Sequence, residues 1–543
     1  MKTKIKKRSL SLFILMGLLF TGTAFANNIQ VSNVQLVGAG TADAYIQFDI
    51  SWDNSWSFSS NYYHDAAWVF AKYAIYDDTT KLVSRPYAHV PVGGVSLATE
   101  AEGTLGTTAL NVVTDNTDTG GEVNWKLPND YRGFFLYHSL DGTGTFTAKK
   151  IKLAWNMSAI SAANPIVVKV FAMEMVYVPQ GAFYLGSGGT ESGSFTDGAW
   201  SSGATIPFKV SSENEITINT GAGNLWGTST SGNNTIGLAG TLPEAFPKGY
   251  NGFYCMKYEL TQGQYCNFLN TLSRAQQINR NAAVTAVAQT SVGADIFAMN
   301  NAALAYRSGI RSTAYFTAND PVYFYCDLNN NKVANEANDG QWQAMNYLSW
   351  ADLCAYADWA GLRPMTELEF EKAARGPKTP VVNEYAWGLA GGISQVTGIT
   401  NSGQRDEIAA NSGNCVYGSH ASVQGPMRSG FAATVSTATR EATGASFYGI
   451  MELSGNLWER TVSVGENTVG RKFTGLHGDG DLSIAGGANV AGWPGTNAFG
   501  AGSRGGSWYI DATYARASDR TYAAYTNAIR HYHLGGRLVR TSQ

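Results

Sequence analysis

An all-β sandwich followed by an α+β domain is the fold class the sequence predicts, and three observations predict it. Between residues 27 and 172, short runs alternate apolar with polar residues and are punctuated by Gly, Asn, Asp and Thr clusters. Helix-start signals appear only beyond residue 173, at Thr261, Ser349 and Thr366. Charged residues make up only 15% of the chain and Gly supplies 61 of 543 residues, a balance that suits strands and loops better than a helical bundle.

Residues 1–26 read as a secretory leader. Lys2, Lys4, Lys6, Lys7 and Arg8 precede an apolar run from Leu10 to Phe20, and Ala24-Phe25-Ala26 supplies small residues for cleavage. That run is too short to span a bilayer, and no later stretch is long and apolar enough for a membrane helix. The expectation is a secreted or cell-surface protein, periplasmic or extracellular, with no integral membrane segment after cleavage. The chain holds 38 basic and 41 acidic residues; without the five bases of the leader the balance is 33 against 41, a net charge of −8. Phosphate binding needs concentrated Lys and Arg, so this balance excludes a nucleic-acid partner.

In the first module (27–172), Ala44, Ile46, Phe48, Ile50 and Trp52 alternate with Tyr45, Gln47, Asp49 and Ser51, the period of a half-buried strand. Further strands are expected at Trp68 to Tyr76, Gly133 to His138, Lys150 to Trp155 and Ile166 to Phe171. Short strands with such turns point to an immunoglobulin-like sandwich, read as a spacer or adhesion module. The second domain (173–543) opens with a strand at Met175. Insertions are expected at 187–250, a Ser-, Gly-, Thr- and Asn-rich loop, and at 275–344. Thr261 with Gln264 forms a capping-box signal for a helix from Gln262 to about Leu272. Ser349 caps a helix that Gly361 stops, and Thr366 with Glu369 opens another that ends at Gly376. Arg363 and Glu367 are expected to hold the connection between these two helices. Cys255, Cys266, Cys326, Cys354 and Cys415 are odd in number and absent from the first 254 residues, so they form no disulfide framework.

Four segments occur in a fixed order: MVYVPQGAFYLGS from Met175, KYELTQGQY from Lys257, LSWADLCAYADWAGLRPMTELEFEKAARG from Leu348, and YGIMELSGNLWER from Tyr448. In order and spacing they resemble the sulfatase-modifying-factor, or formylglycine-generating-enzyme, family, whose domain is a variant of the C-type lectin-like fold. The resemblance covers roughly residues 173–543. It implies an oxidase with two copper-binding cysteines in a motif GGS-aromatic-x-Cys-x4-Cys. Those positions fall on Ile510 and Ala515, and neither side chain supplies the thiolate that copper(I) requires. The fold is therefore expected without the reaction and without copper.

The resemblance also implies calcium at Asn456, the Leu457 carbonyl and Glu459, with turn and helix-end hydrogen bonding as the alternative role for Asn456 and Glu459. A second family site aligns with Asn411, Ser412 and Phe431 but lacks its carboxylate near Ser429. Independently, Asp327, Asn329 and Asn331 have the alternate oxygen-ligand spacing of a calcium loop. Lys332 stands where that pattern needs Gly and Asn338 where it needs Glu, with Glu336 or Asp339 as substitutes; the alternative is an Asn-rich turn. His531 and His533 alternate, and His477-Gly-Asp479-Gly-Asp481 is a candidate partner loop. Zinc needs three or four convergent ligands, so no catalytic metal is expected.

The segment SRGGSWYIDATYARASDRTYAAYTNAIRHYHLGGRLVR, from Ser503 to Arg540, is the candidate site. Arg504 to Trp508 reads as a Gly-Gly turn leading into a strand, and Leu534 to Val539 as a closing strand. Its RGGSW, ARASDR and LGGRLVR parts resemble the C-terminal region of lectin-fold variable proteins diversified by retroelements that mutate adenines. The resemblance implies a ligand-binding face made of Tyr509, Ile510, Asp511, Thr513, Tyr514, Asp519, Thr521, Tyr522, Tyr525, His531, Tyr532 and His533. Tyrosine gives such a face large contact area at low entropic cost; the alternative is ordinary packing in the last strands. The first functional expectation is a secreted, non-catalytic protein that binds a protein or glycan through this surface. The others are an oxidase acting on sulfatase cysteines and a structural cell-envelope component.

Overall fold

A computed structural model describes residues 28–542 apart from 59–62, 78–81, 98–122, 139–140, 161–164, 201–204, 230, 283, 285–295, 301–303, 314–319, 335 and 467. The leader expected at 1–26 lies outside the described residues. Among those residues, no helix is long and apolar enough to cross a membrane.

One sheet organises the described chain. Along its path it runs Arg363–Pro364, Leu538–Thr541, Phe253–Met256, Ile166–Val178, Tyr63–Asp77, Tyr45–Phe58, Gly142–Ala154 and Gly94–Leu97. The strand Ile166–Val178 pairs antiparallel with Tyr63–Asp77 from Ile166↔Ile75 to Val176↔Asp65, and its last four residues also pair with Phe253–Met256. The boundary expected after residue 172 therefore falls inside a strand that belongs to both halves. Local alternation could not reveal this, because the two partners of that strand lie on opposite sides of it in the sequence.

The strand Tyr63–Asp77 shows why the halves share a sheet. Ala66, Trp68 and Phe70 pack toward the helices with Met173, Met175 and Tyr254, while Ala67, Val69 and Ala71 pack toward Ile46, Phe48 and Leu136 of the N-terminal β-rich region. A strand buried on both faces reads as a continuous apolar run, as AAWVFA does here. In Tyr45–Phe58 the alternation is kept, with Ile46, Phe48, Ile50 and Trp52 inside.

Three helices begin where their caps predict. Thr261 and Gln264, Ser349 and Asp352, and Thr366 and Glu369 each exchange reciprocal side-chain–backbone hydrogen bonds. The first helix ends at Leu269, one turn short of expectation, and Gly361 and Gly376 take the left-handed φ of +68° that stops the others. The stretch 187–250 is not the loop expected from its composition. It forms a four-stranded sheet of Phe195–Gly198, Gly221–Gly227, Ile216–Ile218 and Gly240–Leu242, and Phe208–Val210 pairs with Phe183–Leu185. The Gly-Gly turn is also placed differently. The strand Ala501–Arg504 precedes it, Gly505 and Gly506 turn at φ of +89° and +75°, and Trp508 is buried in irregular chain.

Candidate functional site: a pocket in the terminal segment

The strand Trp458–Val462 carries the site. It pairs antiparallel with Ala501–Arg504 and parallel with Leu534–Gly535, so residues 505–533 form an excursion that leaves one of its edges and returns to the other. Buried polar contacts pin this excursion. Arg504 donates to Glu371 at 2.8 Å and to the Asp519 carbonyl at 2.9 Å. Arg520 binds both oxygens of Glu367, at 2.7 and 3.0 Å, and the Gly193 carbonyl at 2.8 Å. Ser518 accepts from Arg375 at 2.6 Å, and the Ala517 amide donates to the Glu384 carbonyl at 2.9 Å. Gly506 packs so closely on Ala515 that a Cβ there would lie 2.9 Å from its backbone nitrogen. Glu367, expected to hold the helix connection, instead anchors the terminal segment, while Arg363 pairs with Glu369 at 2.8 and 2.6 Å.

These anchors leave a different set of side chains outside. Ala515, Ala517, Ser518 and Arg520 are buried, whereas Tyr509 is 44% and Tyr525 39% exposed. Asp511 and Thr513 are exposed, and Ile510, Tyr514, Thr521, Tyr522, His531, Tyr532 and His533 are half-buried. Asp519 departs from the face proposed for it. It is buried, accepts from the Thr521 amide at 3.0 Å and the Thr521 hydroxyl at 3.2 Å, and shapes a turn; burial pushes its carboxyl up to about 6.

A cavity of about 430 Å³ opens in this face. Tyr509, Ile510, Tyr522, Tyr525, His531 and His533 line it, as do Asn233, Trp458, Ser503, Asn527, Ile529 and Leu534, which sequence reasoning did not mark. Trp458 and Leu534 were legible as strand neighbours only once their pairing was known. Asn233 comes from a turn between the strands Gly221–Gly227 and Gly240–Leu242, where its carbonyl accepts the Ala524 amide at 2.8 Å, and no sequence signal ties it to the terminus. The rings meet largely edge-on: Trp458 and Tyr522 at 5.2 Å and 87°, Tyr509 and Tyr532 at 5.2 Å and 74°. Tyr532 sits behind the pocket against Tyr306 and Trp508. The buried Arg460 ties the pocket's edge by donating to the carbonyls of Asn527 at 2.6 Å and Ile529 at 3.0 Å.

Both imidazoles are disfavoured as cations. Burial, then His531 and Arg460, hold His533 down at about 3, and burial with Arg460 lowers His531. Burial and a hydrogen bond with Tyr509 push the Tyr532 phenol up to about 12. The rings of His531 and His533 lie 4.2 Å apart, yet among the described residues no third ligand joins them, and His477 instead accepts the Thr541 amide at 3.0 Å. Among the described residues, no group of three or more His, Cys, Asp or Glu is arranged to hold a metal ion.

The calcium candidates are engaged otherwise. Arg537 grips both oxygens of Glu459, at 2.8 and 2.7 Å. Asn456 donates to Glu259 at 2.5 Å and accepts the Met427 amide at 2.9 Å, and the Leu457 amide also donates to Glu259 at 3.0 Å. The Glu459 carboxylate is thus paired with a guanidinium and the Asn456 amide with a second carboxylate, which leaves these two side chains a poor fit for calcium. Beside Asp327, Arg311 lies at 2.5 Å. Asn329 turns its amide NH2 toward Glu336, Asn338 and Asp339 at 3.0–3.1 Å, and Asn331 closes an Asx turn on the Val333 amide at 2.8 Å. The Asn331 backbone amide donates to Asp327 and to Asn329, each at 3.0 Å, the hydrogen bonding of an Asn-rich turn.

Ile510 borders the pocket, while Ala515 is buried with Tyr385, Trp387 and Cys415. Cys415 donates to the Ser454 carbonyl at 3.1 Å, and burial pushes its thiol up, away from the thiolate that copper chemistry needs.

No curated protein sequence matches the chain. Among solved structures, Treponema denticola variable protein 1 is similar at 12% sequence identity and a TM-score of 0.31, with 68% of this chain and 96% of that chain covered. Residues 167–542, more than half of the chain, match the Sulfatase-modifying factor enzyme 1-like domain, and the chain belongs to that family.

Proposed function

We propose that this protein is a non-catalytic binding protein that presents residues 509–533 to a macromolecular ligand outside the cell. One observation carries the reading: the terminal segment divides into buried anchors, such as Arg504, Ser518 and Arg520, and a surface rich in tyrosine around a pocket. A segment held by so many internal contacts can vary its outward side chains without losing its path. That division supports the likeness of its motifs to diversified variable proteins, and Ile510 and Ala515 in the two cysteine positions support loss of the oxidase. The N-terminal β-rich region, read as an immunoglobulin-like sandwich, then serves to display the lectin-like domain. The leader at 1–26 supports export.

The test compares what the immobilised full chain retains from an extracellular surface fraction with what a Tyr509→Ala, Tyr525→Ala double variant retains. Loss of the retained component is expected, and unchanged capture removes the terminal face as the binding surface. Copper content and oxygen consumption with a cysteine-containing peptide are expected at background. Stoichiometric copper with turnover would reject the reading in favour of an oxidase.

A further inference from the structure

We propose that the terminal pocket seats one uncharged aromatic side chain presented by a protein ligand, with Tyr509, Tyr525 and Ile529 covered by the ligand surface around it. The proposal rests on the reading of 509–533 as the binding face and names what that face takes.

Charge is the first argument. Among the described residues no Lys, Arg, Asp or Glu lines the cavity, and His531 and His533 are both disfavoured as cations there. A phosphate, carboxylate or ammonium entering would shed its hydration with no opposite charge to replace it. An uncharged occupant meets no such penalty.

A protein side chain and a sugar ask different things of this wall. A pyranose brings several hydroxyls that each need a partner once buried, and an unmet one is costly. Two of the pocket's polar groups are already engaged. The Asn527 side-chain oxygen already accepts the Ile529 amide at 2.9 Å, and the Tyr509 side chain is hydrogen-bonded to Tyr532. What the wall does offer is ring edges and faces from Trp458, Tyr522 and Tyr525, beside Ile510 and Leu534. An aromatic occupant adds edge-to-face contacts to the area it buries.

The rim supplies the third. Tyr509, Tyr525 and Ile529 are exposed by 44%, 39% and 58% around the opening. A small solute in the pocket would leave that apolar rim in water, whereas a protein surface carrying the inserted ring would cover it.

The experiment is saturation-transfer NMR on the full chain with three probes: N-acetyltryptophanamide, N-acetyltryptophan and methyl β-galactopyranoside. The amide is expected to bind saturably, the carboxylate at least about tenfold more weakly because its charge finds no partner, and the glycoside not at all. Ile510→Glu is expected to abolish binding of the amide, and Ile484→Glu, at an exposed position that does not line the pocket, to keep it, with both variants retaining the circular dichroism of the parent. Glycoside binding that Ile510→Glu removes, amide binding that survives Ile510→Glu in a folded variant, or no amide binding would each overturn the proposal. If the Tyr509→Ala, Tyr525→Ala exchange still abolishes capture in such a case, the binding face stands and only its occupant is wrong. If capture is also unchanged, the face itself falls.

Discussion

Glu367 accepts from two arginines that lie 137 and 153 residues further along the chain, Arg504 and Arg520, and all three side chains are sealed from solvent. Removing the carboxylate leaves two guanidinium groups buried beside each other, so Glu367→Ala is expected to cost about 3–5 kcal/mol. Urea unfolding reads this as a lowered midpoint. Tyr525→Ala should change stability by no more than about 0.5 kcal/mol, because its ring is 39% exposed. Equal losses for the two variants would mean that the segment is not divided into anchors and free surface. His533 gives a pH signature. Its folded value of about 3 lies below the 6.5 of an ordinary imidazole, so the unfolded chain takes up this proton first as pH falls. On this group's account stability is full above 6.5 and is lost between 6.5 and about 3. Unfolding at pH 7 and pH 4.5 should therefore show a smaller loss for His533→Gln than for the parent, and an equal loss would place the imidazole in contact with water.

Among the elements, the helix Glu367–Arg375 shows how a local signal reaches the site. Thr366 accepts the Glu369 amide at 3.2 Å while Glu369 accepts the Thr366 amide at 3.0 Å and binds Arg363. Thr366→Ala should cost about 1 kcal/mol and Thr366→Ser nearly nothing, measured as thermal midpoints; a neutral Thr366→Ala would mean that the cap does not set the helix start. Such caps were legible because a helix start is written within four residues, as at Thr261 and Ser349. The family was legible for a similar reason, in four short motifs held in order. Contacts made across long sequence separations were not legible. Arg537 reaches Glu459 from 78 residues away, and nothing near Asn456 announces that this cation pairs with the carboxylate read as a calcium ligand. Asn329 is similar, since its spacing suits an ion and a turn equally well, and the contacts of its amide with Glu336 and Asp339 come from residues beyond the local pattern. In the terminal segment Tyr509, Asp511, Thr513 and Tyr525 face outward, but Asp519 shares a residue type with Asp511 and differs in turning inward onto Thr521.

Across the whole molecule, the continuous sheet makes the N-terminal region part of the body that supports the pocket. Lys257 stands at the joint: its ammonium lies 3.1 Å from Asp65 in the N-terminal region and 3.2 Å from Glu174 in the shared strand, with all three buried. Asp65 in turn accepts from Ser55 at 2.7 Å and from the Trp56 amide at 2.9 Å, so the ammonium is tied through one carboxylate to the neighbouring strand. Lys257→Met keeps much of the side-chain volume but leaves two carboxylates without their cation, an expected loss of about 3–5 kcal/mol. If the sheet couples the halves, calorimetry should show one transition in the parent and one, at lower temperature, in the variant, with calorimetric and van't Hoff enthalpies in agreement. Two independent domains would behave differently, with two transitions and only one of them displaced. Loss of the joint should then also reach the pocket, because Phe253–Met256 lies between the shared strand and Leu538–Thr541, the strand just beyond His533 and Leu534. Probe binding that vanishes together with the single transition, and not before it, is the result expected of one cooperative body.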